Sequence, residues 1–196
     1  MSSSPIDISN NLYLSSDEPW RATFTTEHGL SLYKTESSSL WSTKFHTKIL
    51  RAIPSFQAQE TSSTADVSLK DSFGLLADIE FHTFRSTIIR YDGKERSVDD
   101  FFRRRPSNMW GRKYVFTGHN GVEYVWTMEE DKCKLFIADS SNTLVTNYHR
   151  TRYGFMHETR LGYLELFGKL DNRTVDQIIV TFVYAERYRR LERGHV

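Results

Sequence analysis

Cysteine is almost absent from this chain, since Cys133 is the only one among 196 residues. A single cysteine cannot form an intrachain disulfide, so the sequence excludes the small secreted scaffolds that disulfides hold together. Long apolar runs are also lacking: the most apolar segment, residues 178–185, is far shorter than the about 20 residues of a membrane-spanning helix. The first residues show no basic segment followed by an apolar one, as a signal peptide would. We therefore expect a cytoplasmic protein.

Motifs of catalysis and metal binding are missing as well. The seven histidines are dispersed, and none has a partner at the spacing that zinc sites use. There is no P-loop, no dinucleotide-binding glycine motif and no nucleophile elbow. Asp99 and Asp100 are adjacent, and neighbouring residues of a strand face opposite ways, so they do not form an acid–base pair. The sequence predicts no metal, no cofactor and no catalytic residue, and an enzyme with an unrecognised site is the weakest alternative.

What the chain does contain is enough apolar material for one folded domain. It is 38% hydrophobic and carries 13 Phe, 10 Tyr and 4 Trp, and aromatic side chains each bury about 150–250 Å². One domain is the default at this length. We expect a flexible tail over residues 1–11 and a single domain over residues 12–196, interrupted by a Ser/Thr-rich loop at about 54–70.

Charge is divided unevenly along the chain, although the formal net charge is only +1. Residues 1–100 carry a net charge of −4 and residues 101–196 a net charge of +5. The basic second half permits an anionic partner. The small overall charge argues against a dedicated nucleic-acid-binding protein.

Strand-like segments dominate the middle of the chain. Residues 75–84 alternate apolar and polar side chains, which is typical of a half-buried strand. Turn signals recur between such segments, at Gly29, at Asp92–Gly93 and at Asn120–Gly121. Residues 98–102 break the alternation and fit one helical turn with Ser97 as its N-cap. This order predicts an antiparallel, meander-like sheet.

The apolar segment near the C-terminus is ambiguous from propensity alone, because Ile, Val, Thr, Phe and Tyr favour strands. Residues 174–177 match a capping box, and Asp176 would lie in the first turn of a helix, which favours helix. Glu186 could then meet Arg189 and Arg190 at helical spacing. We expect a helix over residues 175–192, about 27 Å long, whose apolar segment 178–185 is buried on all sides.

Four segments together resemble a known family. They are an alternating strand at 76–81, the residues 100–103, the hairpin at 115–126 and the C-terminal segment 175–190. In this order they are similar to a fungal family of unknown function that is grouped with the tubby-like barrels, over roughly residues 20–192.

The resemblance implies a mainly β fold, a closed antiparallel tubby-like β-barrel around a central hydrophobic C-terminal helix. Tubby, the plant LURP-one-related proteins and the phospholipid scramblases share that architecture. Tubby domains bind phosphoinositide headgroups, but their basic pattern has no residue-by-residue match here, so their site is not transferred.

The strongest candidate binding site is a cluster of cations with one tryptophan beside it: Arg103, Arg104, Arg105, Arg112, Lys113 and Trp110. Guanidinium groups bind phosphate through charge-assisted hydrogen bonds. A tryptophan next to them suits a membrane interface or a protein contact. The alternative is a solvated loop whose arginines pair with Asp99 and Asp100, with Trp110 plugging the barrel rim.

A second basic group ends the chain: Arg187, Arg189, Arg190 and Arg193. These residues could contact an acidic lipid, or they could form a helix tail that leaves the barrel with its cations placed favourably for the helix dipole.

Together these features predict a non-enzymatic binding module for anionic lipid headgroups such as phosphoinositides, peripheral at membranes. The alternative is a protein–protein interaction scaffold that uses residues 54–70 or Trp110. The sequence leaves the oligomeric state open.

Overall fold

The structure is a computed structural model, and it describes residues 11–38, 45–53, 72–82, 84–105, 112–129, 132–152 and 160–194. For Arg104, Arg105 and Arg112 it describes the backbone alone. The strands, in chain order, are β1 (Asn11–Leu14), β2 (Thr23–Thr25), β3 (Ser31–Ser37), β4 (Phe45–Ala52), β5 (Phe73–Phe81), β6 (Ile88–Tyr91), β7 (Lys94–Ser97), β8 (Arg103–Arg105), β9 (Arg112–Thr117), β10 (Glu123–Met128), β11 (Cys133–Ile137), β12 (Leu144–His149) and β13 (Tyr163–Leu166). The helices are α1 (Val98–Phe101) and α2 (Asn172–Glu192), with one 3₁₀ turn at Pro19–Arg21.

All thirteen strands belong to one antiparallel sheet, in the order β7-β6-β5-β4-β3-β2-β1-β13-β12-β11-β10-β9-β8. The predicted meander is confirmed, and β1 closes the two halves by pairing with β13. The two edge strands, β7 and β8, are consecutive in the chain. The five residues between them span at most about 20 Å, so the sheet must curve back on itself.

Hydrogen bonds between described residues do not join β7 to β8. The sheet is therefore mainly β and antiparallel as predicted, but full closure into a barrel is not confirmed. We call the gap between β7 and β8 the seam. Helix α1 bridges it, and its N-cap is Ser97, whose hydroxyl accepts the Asp100 amide. The predicted helical turn with its cap is confirmed.

Helix α2 runs along the concave side of the sheet and is buried over nearly its whole length. The predicted helix is confirmed, but it begins three residues earlier than expected. Its N-cap is Asp171, whose Oδ1 accepts the Arg173 and Thr174 amides, so the predicted capping box at Thr174 is wrong. Asp171 takes this role because its carboxylate reaches both first-turn amides, and Asp176 lies beyond the first turn.

Aromatic side chains pack around α2 and form the centre of the core. Phe182 contacts the rings of Phe24, Trp126 and Tyr148, and it is fully buried. The Trp126 indole donates a hydrogen bond to the Thr181 hydroxyl at 3.0 Å, which satisfies its polar atom inside the core. Trp126 is therefore a core residue.

Two strands lie where none was predicted. β1 begins at Asn11, the last residue of the predicted tail, and Asn11 pairs with Glu165. β8 consists of three arginines, for which a solvated loop was the alternative interpretation. Pairing with β9 makes this segment a strand, since tertiary context overrides weak strand propensity. In the described ranges no helix is both long and apolar enough to cross a membrane.

Candidate functional site

The antiparallel connections fall at the two ends of α2, and several basic segments lie at its C-terminal end. Phe81, the last residue of β5, stacks on Tyr184, which places the β5–β6 connection at this end. Arg150 follows β12 and lies near Asp17, which also pairs with Arg190 in the last turn of α2. The β12–β13 connection therefore belongs to the same end.

Arg103, the first residue of the predicted cluster, already has an acidic partner. Its guanidinium forms an ion pair with Glu123, and the predicted alternative partners Asp99 and Asp100 do not contact it. The Arg103 side chain is 64% exposed, so the pair has the small energy of a surface salt bridge. Its charge is locally compensated, which weakens Arg103 as a ligand for an anion.

The other residues of the predicted cluster are only partly placed. Arg104 and Arg105 lie opposite Tyr114 and Lys113 in the β8–β9 ladder, and Arg112 begins β9. Lys113 is exposed, and no acid among the described residues contacts it. Trp110 lies outside the described residues, and so do residues 54–70, the other part of the predicted scaffold surface. Pairing thus brings Arg103–Arg105 beside residues 113–115, as the cluster requires.

Further exposed cations, which the sequence did not group together, lie at the C-terminal end of α2. We call this surface the basic rim; its cations are Arg85, Lys113, Lys132, Arg152, Arg160 and Arg193. Arg85 is 65% exposed and lies 3.6 Å from the Glu80 carboxylate, and the other five contact no acid in the described part of the chain. Arg152 and Arg160 face each other in an isolated β-bridge, a pairing that residue spacing alone does not reveal.

Exposed apolar side chains accompany these cations. Phe84 is completely exposed, beside Arg85, and Leu161 and Leu191 are about half exposed. Three of the six large exposed apolar residues in the described part of the chain thus lie on the basic rim. Apolar side chains among cations are typical of surfaces that dock on anionic membranes.

The arginines in the last turns of α2 are not part of this surface. Glu186 is fully buried and accepts hydrogen bonds from Arg189 at 2.7 Å and from Arg190 at 2.8 Å. Arg190 also bonds to Asp17 at 3.0 Å. Burial alone would lower their pKa values, but the bonds with Glu186 hold the pKa of both guanidinium groups above its ordinary value. The alternative of a helix tail that leaves the barrel is wrong for these two buried residues, while their predicted contact with Glu186 is confirmed.

Arg187 is buried in a different way, between aromatic rings. Its guanidinium carbon lies 3.3 Å from the Phe45 ring centre, 4.7 Å from that of Phe81 and 4.9 Å from that of Trp20. The side chain is 3% exposed, and this burial, with the nearby charge of Arg21, lowers its pKa. Ring faces attract a cation, so Arg187 is a packing residue rather than a surface ligand.

A polar cluster lies at the other end of α2. The His119 Nε2 atom is 2.9 Å from Asp171 Oδ1 and 3.0 Å from Thr174 Oγ1. One ring nitrogen faces both partners, so the imidazole does not connect a hydroxyl to a carboxylate as it does in a catalytic triad. Burial opposes ionisation, but bonds from Thr174 lower the pKa of Asp171. The cluster holds the β9–β10 turn on the helix N-terminus.

Metal and thiol chemistry find little support in the geometry. Within the described ranges no three His, Cys, Asp or Glu side chains are grouped closely enough to hold a metal ion. Cys133 is fully buried, as expected for a small core residue. Burial and the charge of Glu186 raise the pKa of its thiol well above the ordinary value, which disfavours the reactive thiolate.

Comparison with known proteins gives a family and no function. The model of a family described as "Family of unknown function (DUF6593)" matches residues 17–191. No curated protein matches the chain. A solved X-ray structure of a protein from Arabidopsis thaliana is 12% identical over 92% of this chain and 91% of that chain, with a TM-score of 0.33. A score this low does not establish a shared fold.

Proposed function

This chain belongs to the Family of unknown function (DUF6593), and we propose that it is a non-enzymatic module that binds anionic lipid headgroups at a membrane surface. The observation that carries the proposal is Phe84, which is completely exposed beside Arg85 on the basic rim. A lone exposed Phe has no packing role in the described structure. Burying such a side chain in an apolar phase contributes about 1.5–3 kcal/mol.

The charges of the basic rim support the same surface. Each Lys or Arg near an anionic leaflet contributes about 1 kcal/mol. The attraction extends over about 10 Å at 0.1 M salt, so cations on several connections of one end can act together. Arginine also binds phosphate in a bidentate manner, which suits phosphoinositides. The backbone positions of Arg105 and Arg112, which end β8 and begin β9, lie at the same end, and our proposal includes both residues.

We also propose the finer fold, a closed tubby-like barrel. In this interpretation α1 acts as the bridge that closes the seam between β7 and β8. The support is the continuous ladder from one edge strand to the other, together with a helix that is buried on all sides.

Co-sedimentation with vesicles tests the function. The vesicles contain phosphatidylcholine alone, or with phosphatidylserine, or with phosphatidylinositol bisphosphate, each at low and high salt. We expect binding to the anionic vesicles only, with affinity falling as salt rises. The double variant Phe84→Ala and Arg85→Gln should bind at least about ten-fold more weakly, because it lacks one inserting ring and one cation.

A matched control removes the same two types of side chain from the opposite end. Leu30 is 53% exposed and Lys169 is exposed, so the variant Leu30→Ala and Lys169→Gln should bind as the wild type does. Absence of binding at low salt, or an equal loss in the control variant, would overturn the proposal.

A further inference from the structure

A cavity of about 270 Å³ lies at the seam, on the side of the α2 N-terminus and away from the basic rim. β6, β7, α1, the β9–β10 turn and the first turns of α2 enclose it. We call it the seam pocket, and the residues that matter to its chemistry are Tyr91, Lys94, Arg96, His119 and Arg173, with Asp92 as the one acid of its lining.

The register of β7 places two cations, both exposed to solvent, on the concave side of the sheet. Lys94 lies opposite Tyr91 and Arg96 opposite Ile89, and Ile89 is buried in the core. Side chains directly opposite each other share one face of a sheet, so Lys94 and Arg96 share the face of Ile89. Glu95 between them faces outward.

Neither of these inward cations is compensated. No acid among the described residues contacts Lys94 or Arg96, whereas Glu95 bonds to Arg90 at 2.6 Å on the outer face. Arg173 adds a third cation from α2; its contact with Asp92 is 3.3 Å long and exposed. Cations in a concave site with low-dielectric walls concentrate anions.

The N-terminus of α2 does not itself supply the site. Asp171 already accepts the Arg173 and Thr174 amides. Gln177, on the pocket wall, is also satisfied, because it accepts the His119 amide and donates to the Thr117 carbonyl. The side-chain cations would therefore hold a ligand, with Phe101 as an apolar wall.

We propose that the seam pocket binds a small phosphate-bearing anion, of the phosphate monoester class, through Lys94, Arg96 and Arg173. Ligand pockets usually measure about 300–1,000 Å³, so this cavity suits a ligand near the lower limit, such as one phosphorylated ring. Burial raises the pKa of Tyr91 to about 12, so its hydroxyl keeps its proton at neutral pH and can donate. The competing explanation is that inward charges only protect an edge strand from pairing with other chains.

Isothermal titration and thermal unfolding with inorganic phosphate and with myo-inositol 1-phosphate test the site. A ligand at a hundred-fold excess over its Kd should raise the melting temperature of the wild type by about 5–10 °C. The double variant Lys94→Gln and Arg96→Gln should lose this shift and the titration heat. The control variant Lys48→Gln and Lys169→Gln removes the same charge elsewhere and should keep both.

A second experiment, with vesicles that contain phosphatidylinositol monophosphate, tests whether the bound phosphate belongs to a lipid headgroup or to a free compound. If the double variant Lys94→Gln and Arg96→Gln (the pocket variant) also loses binding to these vesicles, the ligand is a lipid headgroup. If it loses binding only to the soluble phosphate compounds, the ligand is a free phosphate. Both results support the site. Absence of phosphate-dependent stabilisation beyond that in matched chloride, or stabilisation that persists in the pocket variant, overturns it. The variant of Phe84 and Arg85 serves to test the rim separately.

Discussion

The basic residues at the two ends of α2 differ in whether they have acidic partners within the chain. At the C-terminal end the buried cations Arg189 and Arg190 share the buried carboxylate of Glu186. At the N-terminal end Lys94 and Arg96 face a cavity without an acidic partner among the described residues. Both ends are rich in basic residues, but only the C-terminal end pairs buried arginines with a fully buried carboxylate, while Arg187 packs against aromatic rings there.

This difference shows which cations are available to a ligand. Within a fold, a cation that has an internal acid contributes to stability, and a ligand would have to displace that acid. A cation that has no internal acidic partner can attract an anionic ligand without displacing one. The cluster predicted from the sequence does not reveal this distinction. It contains both Arg103, which forms an ion pair with Glu123, and Lys113, which contacts no acid among the described residues.

The largest effect is expected at the compensated end. Glu186→Gln removes the charge that Arg189 and Arg190 share, and Arg190 keeps Asp17 as its acidic partner. Breaking a buried ion pair in this way costs about 3–5 kcal/mol. Urea unfolding should show this loss in the free energy of unfolding. Asp171→Asn at the other end is the control, with a loss below about 1 kcal/mol, because Asn is also a good N-cap. Equal losses in the two variants would contradict the difference between the ends.

A smaller effect is expected from the second buried carboxylate of α2. Asp176 accepts a hydrogen bond from the Tyr33 hydroxyl at 2.8 Å and pairs with Arg51 at 2.6 Å. Burial and the Asp176 charge raise the pKa of Tyr33 well above 10. The stability that the neutral phenol contributes is present below pH 10 and is lost as pH rises above 10, because unfolded Tyr33 ionises and folded Tyr33 does not.

The measurement for Tyr33 is the pH dependence of unfolding. Between pH 10 and pH 11 the wild type should lose about 1 kcal/mol more than Tyr33→Phe does. The comparison uses slopes, because Tyr33→Phe also removes a donor to Asp176 and lowers stability at every pH. Parallel slopes for the two proteins would show that Tyr33 titrates as it does in the unfolded chain.

The smallest effect is expected at the uncompensated end. The double variant Lys94→Gln and Arg96→Gln removes two exposed charges that have no internal partner, so the free energy of unfolding should change by less than about 0.5 kcal/mol. Chemical denaturation without phosphate gives this value. A loss comparable to that of Glu186→Gln would mean that these cations stabilise the fold itself.

Strand order was largely predictable because alternation and turn residues are local signals. The hairpin signals at Asp92–Gly93 and Asn120–Gly121 both correspond to turns, and Gly93 and Gly121 have positive φ. The early start of α2 was not predictable from the capping-box pattern, because Asp171 competes for the same amides. The strand β8 depends on pairing with the next strand, β9, which three successive arginines do not indicate.

The sites were less predictable than the fold. The basic rim groups Arg85 with Arg152 and Arg160, which are far from it in sequence and lie at the same end of α2 only because of the strand order. The seam pocket depends on register: alternation in β7 sets Lys94 and Arg96 on one face, but sequence alone does not tell which face is inside. The one available signal was the Asp92–Gly93 turn, which places Lys94 opposite Tyr91.

The most direct test of membrane docking places a probe on the basic rim. Because Cys133 is fully buried, Phe84→Cys can be labelled selectively with an environment-sensitive fluorophore, and Lys169→Cys gives the matched label at the opposite end. We expect a blue-shifted, brighter emission at position 84 on phosphatidylserine vesicles at low salt, and no change at position 169. An unchanged emission at position 84, or a larger shift at position 169, would contradict it.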